Sequence, residues 1–297
     1  MNQSVLLTDF IDEYKPKIEQ QLASQVKKDV SNDQLAESMS YSLMAGGKRL
    51  RPLMSIATLK TLNHDMTEDD LKAISALELL HTYSLIHDDL PAMDNDDLRR
   101  GKKTNHVIYG AGLATLAGDG LLTLSFQWLT DNHLDDHKKT QLTYYLSKLA
   151  GPSGMVAGQS MDILNENKQL SLDEIKKLHE GKTGALIRYA MISGGILADA
   201  DQGVIDKLNQ FGADYGLAFQ IYDDILDVTS SSEELGKPVH QDGVKNTYTN
   251  HLGLDKAYSY LEETINHSRQ ILDELKEEND VDIKLLSSFL DYFKIEK

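Results

Sequence analysis

Cysteine is absent, which excludes a disulfide framework, a thiolate metal site and a thiol nucleophile. Proline is scarce. Pro16, Pro52, Pro91, Pro152 and Pro238 are the five, and a chain so seldom interrupted can run in long helices. No stretch keeps up a period-two alternation, and none reaches the roughly 18 apolar residues of a membrane span. The first ten residues lack a basic segment followed by an apolar one, so the expectation is a soluble, cytoplasmic protein. Basic charge is also short: 30 Lys and Arg stand against 47 Asp and Glu, a net charge of −17. That balance argues against nucleic acid and anionic membrane surfaces as partners, because both reward clustered cations. It still allows a small anionic substrate where metal ions and a few placed cations reverse the local field.

What is present is helix-period patterning almost from end to end. A chain of 297 residues can bury roughly three quarters of its unfolded surface. The expected fold is therefore all-α: one domain over residues 1–297, a large helical bundle around a deep central cavity. Helices are expected over 3–28, 32–45, 67–89, 112–131, 136–150, 152–165, 171–181, 183–199 and 201–229, with further helix from 253. Residues 95–104 read as a polar loop. The small residues of 111–124 predict a tightly packed central helix, with Asp119 as a buried polar group used for packing or capping.

Acid appears where a helix should not want it. Leu71, Ile74, Leu77, Leu80 and Ile86 recur at helical spacing, and Pro91 ends that helix near Asp89. Asp88 and Asp89 thus fall in the last turn, where the macrodipole is already negative. Farther on, Gln220, Asp223, Asp224 and Asp227 share one arc of a helix, and like charges so placed cost about 0.2–0.5 kcal/mol per pair. Two such clusters point to a multivalent cation shared between them. Six aspartates (Asp88, Asp89, Asp94, Asp223, Asp224 and Asp227) without His–Cys spacing suit a hard, oxygen-preferring ion, Mg²⁺ first and Mn²⁺ as a substitute.

Cations sit close by in sequence. Lys48, Arg49 and Arg51 follow Gly46-Gly47 and precede Pro52, three charges in four residues beside a new helix N-terminus. Arg99 and Arg100 follow the first acidic motif, and Lys182-Thr183 follows Gly181 at an expected break between helices. Gln159 and Asp162 share a helix face. Ala213 and Gly216 lie upstream on the stripe of the second acidic motif and leave space for something slender. There is no P-loop and no strand–helix alternation. Aspartates, cations and small apolar residues together suit a diphosphate with a hydrocarbon tail: metal for the departing diphosphate, apolar walls for a carbocation.

At these residues the chain resembles the trans-type prenyl diphosphate synthases, nearest the bacterial farnesyl diphosphate synthases. The resemblance runs from Gly46-Gly47-Lys48-Arg49-Leu50-Arg51-Pro52 to Gly236-Lys237-Pro238. It includes Asp-Asp-x-x-x-x-Asp at 88–94 and the second aspartate motif in order. It implies condensation of isopentenyl diphosphate with dimethylallyl and then geranyl diphosphate by a homodimer using three Mg²⁺ per active site. Asp88 and Asp94 would ligate two ions, and Asp223 with Asp227 the third. Arg99, Lys182, Thr183, Gln220 and Lys237 would contact the allylic substrate or its leaving group. Lys48, Arg51, His81 and Arg100 would hold isopentenyl diphosphate. On its own His81 reads as a core histidine; it shares one stripe with Ser84 and Asp88. Next to the aspartates, His87 reads as structural.

Product length follows by resemblance too. Bulk about five residues before the first aspartate stops the growing chain, and Tyr83 stands there, followed by small Ser84. The helical wheel puts Ser84 rather than Tyr83 nearest the Asp88 face, so the C15 assignment rests on the likeness. The rivals are a geranylgeranyl or longer-chain synthase, a non-catalytic synthase subunit, and a terpene cyclase. His240, Lys245 and Lys103 depart from the family pattern.

Overall fold

The computed structural model describes residues 3–165, 168–229 and 246–293. In chain order the helices are α1 (Gln3–Asp29), α2 (Asp33–Leu43), α3 (Leu50–Thr61) and α4 (Glu68–Asp88). A two-residue hairpin, β1 (Leu98–Arg99) and β2 (Lys102–Lys103), precedes α5 (Asn105–Tyr109), α6 (Ala111–Thr130), α7 (Asp136–Ala150), α8 (Met155–Asn165) and α9 (Leu172–His179). A π-helical turn over Glu180–Gly184 leads into α10 (Ala185–Leu197) and α11 (Gln202–Thr229). The helices α12 (Tyr248–Leu252), α13 (Leu254–Asn279) and α14 (Lys284–Phe289) complete the order. The fold is all-α, as the patterning predicts. No helix among the described residues is long and apolar enough to cross a membrane.

The chain divides into two compact units. One comprises Thr8–Ile56 and Asp65–Tyr144. Its centre is α4, started by a capping box in which Thr67 and Asp70 satisfy each other's backbone N–H groups, with three acids in the first turn. Ile74, Ala76, Leu77, Leu79 and Leu80 are at most 1% exposed, so α4 is buried on nearly every side. Against it lies α6, presenting Ala114, Ala117, Gly118 and Leu121, and these small residues let the two helices approach closely. Asp119 does not join that face. It is exposed, at the margin of that face, where its carboxylate reaches within 3.7 Å of the His87 ring.

The other unit comprises Met1–Leu7, Ala57–His64 and Tyr145–Lys297. Here α10 is the buried helix, packed on α11, and α11 also carries α13. The expected break at Lys182-Thr183 is instead a widened turn: the helical path continues from α9 through Glu180–Gly184 into α10. Glycines on three elements explain it. A Cβ on Gly158 would stand 2.1 Å from the Lys182 backbone nitrogen, and one on Gly216 would stand 2.7 Å from the Gly184 Cα. The space left by Gly216 is thus filled by the Gly184 backbone. It does not remain open for a ligand, as the sequence reading had it. Extra residues accommodated this way inside a helix are frequent at functional sites.

Candidate active site

The first acidic motif is built by the end of α4. The helix stops at Asp88 with Asp89 as its cap, and the chain turns back so that the Asp94 N–H donates to the Asp88 carbonyl at 2.9 Å. Asp88 and Asp94 are thereby brought together, the former half-buried and the latter exposed. Asp89 is different. It is 3% exposed, and its carboxylate accepts from the Arg99 Nε at 2.7 and 2.9 Å and pairs with Nη2 at 2.6 Å. Burial alone would lower the Arg99 pKa, but the hydrogen bonds and charges of Asp89 and Asp88 leave it raised. Arg99 also comes within 4.0 Å of Asp88.

A feature unseen in the sequence places the two arginines. Residues 95–104 include a tight hairpin whose central residues, Arg100 and Gly101, have φ of 53° and 74°. Two positive φ angles are what a primed two-residue turn requires, and Gly101 meets that demand without strain. The turn sends Arg99 to Asp89 and Arg100 to the Gly46 carbonyl. The Arg100-Gly101 dipeptide, with two residues on either side, was the available signal.

The basic segment sorts itself. Arg49 is 2% exposed and tied internally, donating to Glu78 at 2.8 Å and lying 3.4 Å from Glu19. It is a structural ion pair and not one of three ligand cations. Lys48 is exposed. Arg51 donates to His81 Nε2 at 3.3 Å, while its own Nε is buried without a hydrogen-bond partner. Burial pulls Arg51 down to about 10, against the opposing charge of Glu78. His81 is held well below 6.5 by burial and by Arg51, Arg100, Arg99 and Arg49, so it is a neutral acceptor for Arg51. Among the described residues, neither Arg51 nor Arg100 has a carboxylate within ion-pairing distance. Guanidinium groups so placed suit an anion, even in a chain of net charge −17.

Tyr83 is buried and meets the His87 ring edge-on, centroids 5.5 Å apart. Ser84 turns its hydroxyl onto the His81 carbonyl at 2.8 Å. In the other unit, Lys182 pairs with Asp162, and the Thr183 hydroxyl donates to Gln220 Oε1 at 2.8 Å. On α11, Asp223 is half-buried, while Asp224 and Asp227 are 6% and 7% exposed. The Asp224 carboxylate accepts the Tyr248 N–H at 2.7 Å. Lys237, His240 and Lys245 lie outside the described residues.

The donors fit Mg²⁺. Asp88, Asp94 and Asp223 offer hard carboxylate oxygens with some exposure. Among the described residues no three His, Asp or Glu side chains assemble a site by themselves. An ion that keeps several waters and takes other ligands from substrate phosphates needs no such cage.

A family model described as polyprenyl synthetase matches residues 32–287. The chain belongs to the polyprenyl synthetase family. It is therefore a prenyltransferase enzyme. This polyprenyl synthetase is 44% identical over 280 residues to a farnesyl diphosphate synthase of Bacillus subtilis (strain 168), covering 93% of this chain and 94% of that one. Its fold is similar to that of an FPP/GFPP synthase from Zymomonas mobilis in the apo form: TM-score 0.86, 34% identity, 98% of this chain and 99% of that one. It is also similar to a geranyltransferase of Helicobacter pylori complexed with magnesium and isoprenyl diphosphate: TM-score 0.80, 35% identity, 97% and 95%.

Proposed function

We propose that the protein is a farnesyl diphosphate synthase, joining isopentenyl diphosphate to dimethylallyl and then geranyl diphosphate. One observation carries the reading beyond the relatives' names: the Arg51–His81–Arg100 group gathers guanidinium charge without a matching carboxylate, apart from the carboxylates of the acidic motifs. Two diphosphates need two such provisions. A cyclase that only ionises one substrate needs a single one.

In this reading the allylic C–O bond breaks, diphosphate departs with the electron pair, and the isopentenyl double bond attacks the cation. A new C–C bond forms, and the proton lost goes to the released diphosphate. No side-chain nucleophile is required. Mg²⁺, three per active site, would lower the cost of the departing negative charge. Asp88 and Asp94 hold two of the ions, and Asp223 with Asp227 the third. Arg99, Lys182, Thr183, Gln220 and Lys237 contact the allylic diphosphate, and Asp89 and Asp162 brace Arg99 and Lys182. Lys48, Arg51, His81 and Arg100 hold isopentenyl diphosphate, and neutral His81 keeps the Arg51 guanidinium oriented. Tyr83, with Ser84 beside it, ends chain growth. The whole of 1–297 acts as one catalytic domain in a cytoplasmic homodimer.

The test is consumption of radiolabelled isopentenyl diphosphate by the purified protein with dimethylallyl diphosphate, with and without Mg²⁺. Incorporation that EDTA abolishes and Mg²⁺ restores is expected. Ionisation of the allylic substrate without uptake of label would favour a cyclase.

A further inference from the structure

Tyr83 is a ring on a short stem, and a stop is only as firm as the contacts that hold it. Beside it stands His87, one turn toward Asp88 on α4, with the two ring planes at 90° and their centroids 5.5 Å apart. That is the edge-to-face geometry aromatic pairs prefer. His87 is itself pinned from the neighbouring helix. Its Nε2 lies 3.0 Å from the Thr115 carbonyl oxygen of α6. A carbonyl can only accept, so Nε2 carries the proton. Asp119 Oδ1 lies 3.7 Å from the same nitrogen. The ring occupies a notch made by the absence of a side chain: a Cβ on Gly118 would stand 2.2 Å from Nε2.

The geometry points to His87, seated in the Gly118 notch of α6, as a positioning residue that holds the Tyr83 ring in place and so fixes product length. This rests on the reading of Tyr83 as the stop for the growing chain. It gives His87 a task apart from the metal motif it adjoins. It also explains why α6 carries a glycine where its helix would be better served by alanine. Without His87, the Tyr83 ring can turn aside into the vacated space and let a longer prenyl chain pass. The elongation past C15 then gains about three- to tenfold over release, the rate ratio corresponding to one aromatic edge contact.

Chromatography of dephosphorylated products from isopentenyl and dimethylallyl diphosphates tests this across Tyr83→Ala, His87→Ala, the double variant, His87→Phe and Gly118→Ala. Tyr83→Ala should lengthen the product. His87→Ala should raise the C20-to-C15 ratio about three- to tenfold, and His87→Phe, which restores a ring, should bring it back toward C15. Gly118→Ala, which displaces the ring without altering it, should lengthen the product as well. In the Tyr83→Ala background, His87→Ala should add nothing further. A His87→Ala enzyme with slower turnover but an unchanged product ratio would overturn the inference while leaving the Tyr83 reading standing. So would equal lengthening by His87→Ala with or without Tyr83. If Tyr83→Ala still makes only C15, the underlying reading of Tyr83 fails, and this inference with it.

Discussion

The two paired aspartates, Asp88-Asp89 and Asp223-Asp224, look alike in sequence and are used alike in one respect. In each pair the leading carboxylate keeps some exposure and the second is buried and braced. The braces differ. Asp89 grips the guanidinium of Arg99 through both oxygens, whereas Asp224 accepts the Tyr248 backbone N–H that opens a short helix. A brace that is itself a cation belongs to the chemistry, since Arg99 lies 4.0 Å from Asp88. A brace made by a backbone amide belongs to the fold. The lesson is that a run of aspartates does not name its own ligands; burial and partner do.

The largest expected effect comes from the leading members. Asp88→Asn and Asp223→Asn should each lower kcat by about a thousandfold, beyond the 10–100-fold typical of a group supporting a metal ligand. Equal losses at Asp89 and Asp224 would break the distinction. Asp89→Asn should fall next, at roughly 10–100-fold in kcat/KM. It also frees Arg99 to turn onto Asp88, and that should show as a raised Mg²⁺ requirement in activity titrations. Third, Gly158→Ala drives a methyl into the Lys182 backbone. It should cost about 1–3 kcal/mol of stability by overpacking, read from denaturant melts, and raise KM for the allylic substrate more than for isopentenyl diphosphate. Asp224→Asn retains an oxygen for the Tyr248 N–H, so about 1 kcal/mol of stability and little activity should be lost.

The last effect is set by pH. Each unit holds a histidine low: His81 among the arginines, and His179 at about 4, by burial first and then by Lys182, with Asp162 opposing. Below the ordinary value of 6.5 the unfolded chain binds protons that the folded chain refuses. Stability is therefore complete above about pH 6.5 and declines as pH falls from there toward 4. Thermal melts at about pH 7.5 and 5 should show this, and His179→Gln should reduce the slope.

Much of this was legible in the sequence. Pro91 and the apolar spacing ended α4 at Asp88, and the 136–150 helix came out as read. Helix starts were less well placed: α8 begins at Met155 and not at 152, because Gly151 and Gly154 close a turn first. The widened turn at Glu180–Gly184 was invisible, since its cause is the approach of backbones from Gly158 and Gly216, far away in sequence. The same holds for the partners of Arg49 and Asp89. An ion pair reports what a side chain meets, and residue spacing reports only which way it faces. Tyr83 illustrates the limit: a helical wheel preferred Ser84, yet Ser84 spends its hydroxyl on the helix backbone and Tyr83 is the one seated against a neighbour.

The most direct measurement is the product itself. Purified protein given isopentenyl and dimethylallyl diphosphates with Mg²⁺ should yield farnesyl diphosphate as the dominant species on reverse-phase chromatography of the dephosphorylated alcohols. A dominant C20 product would contradict the assignment of chain length, and no condensed product at all would contradict the proposed reaction.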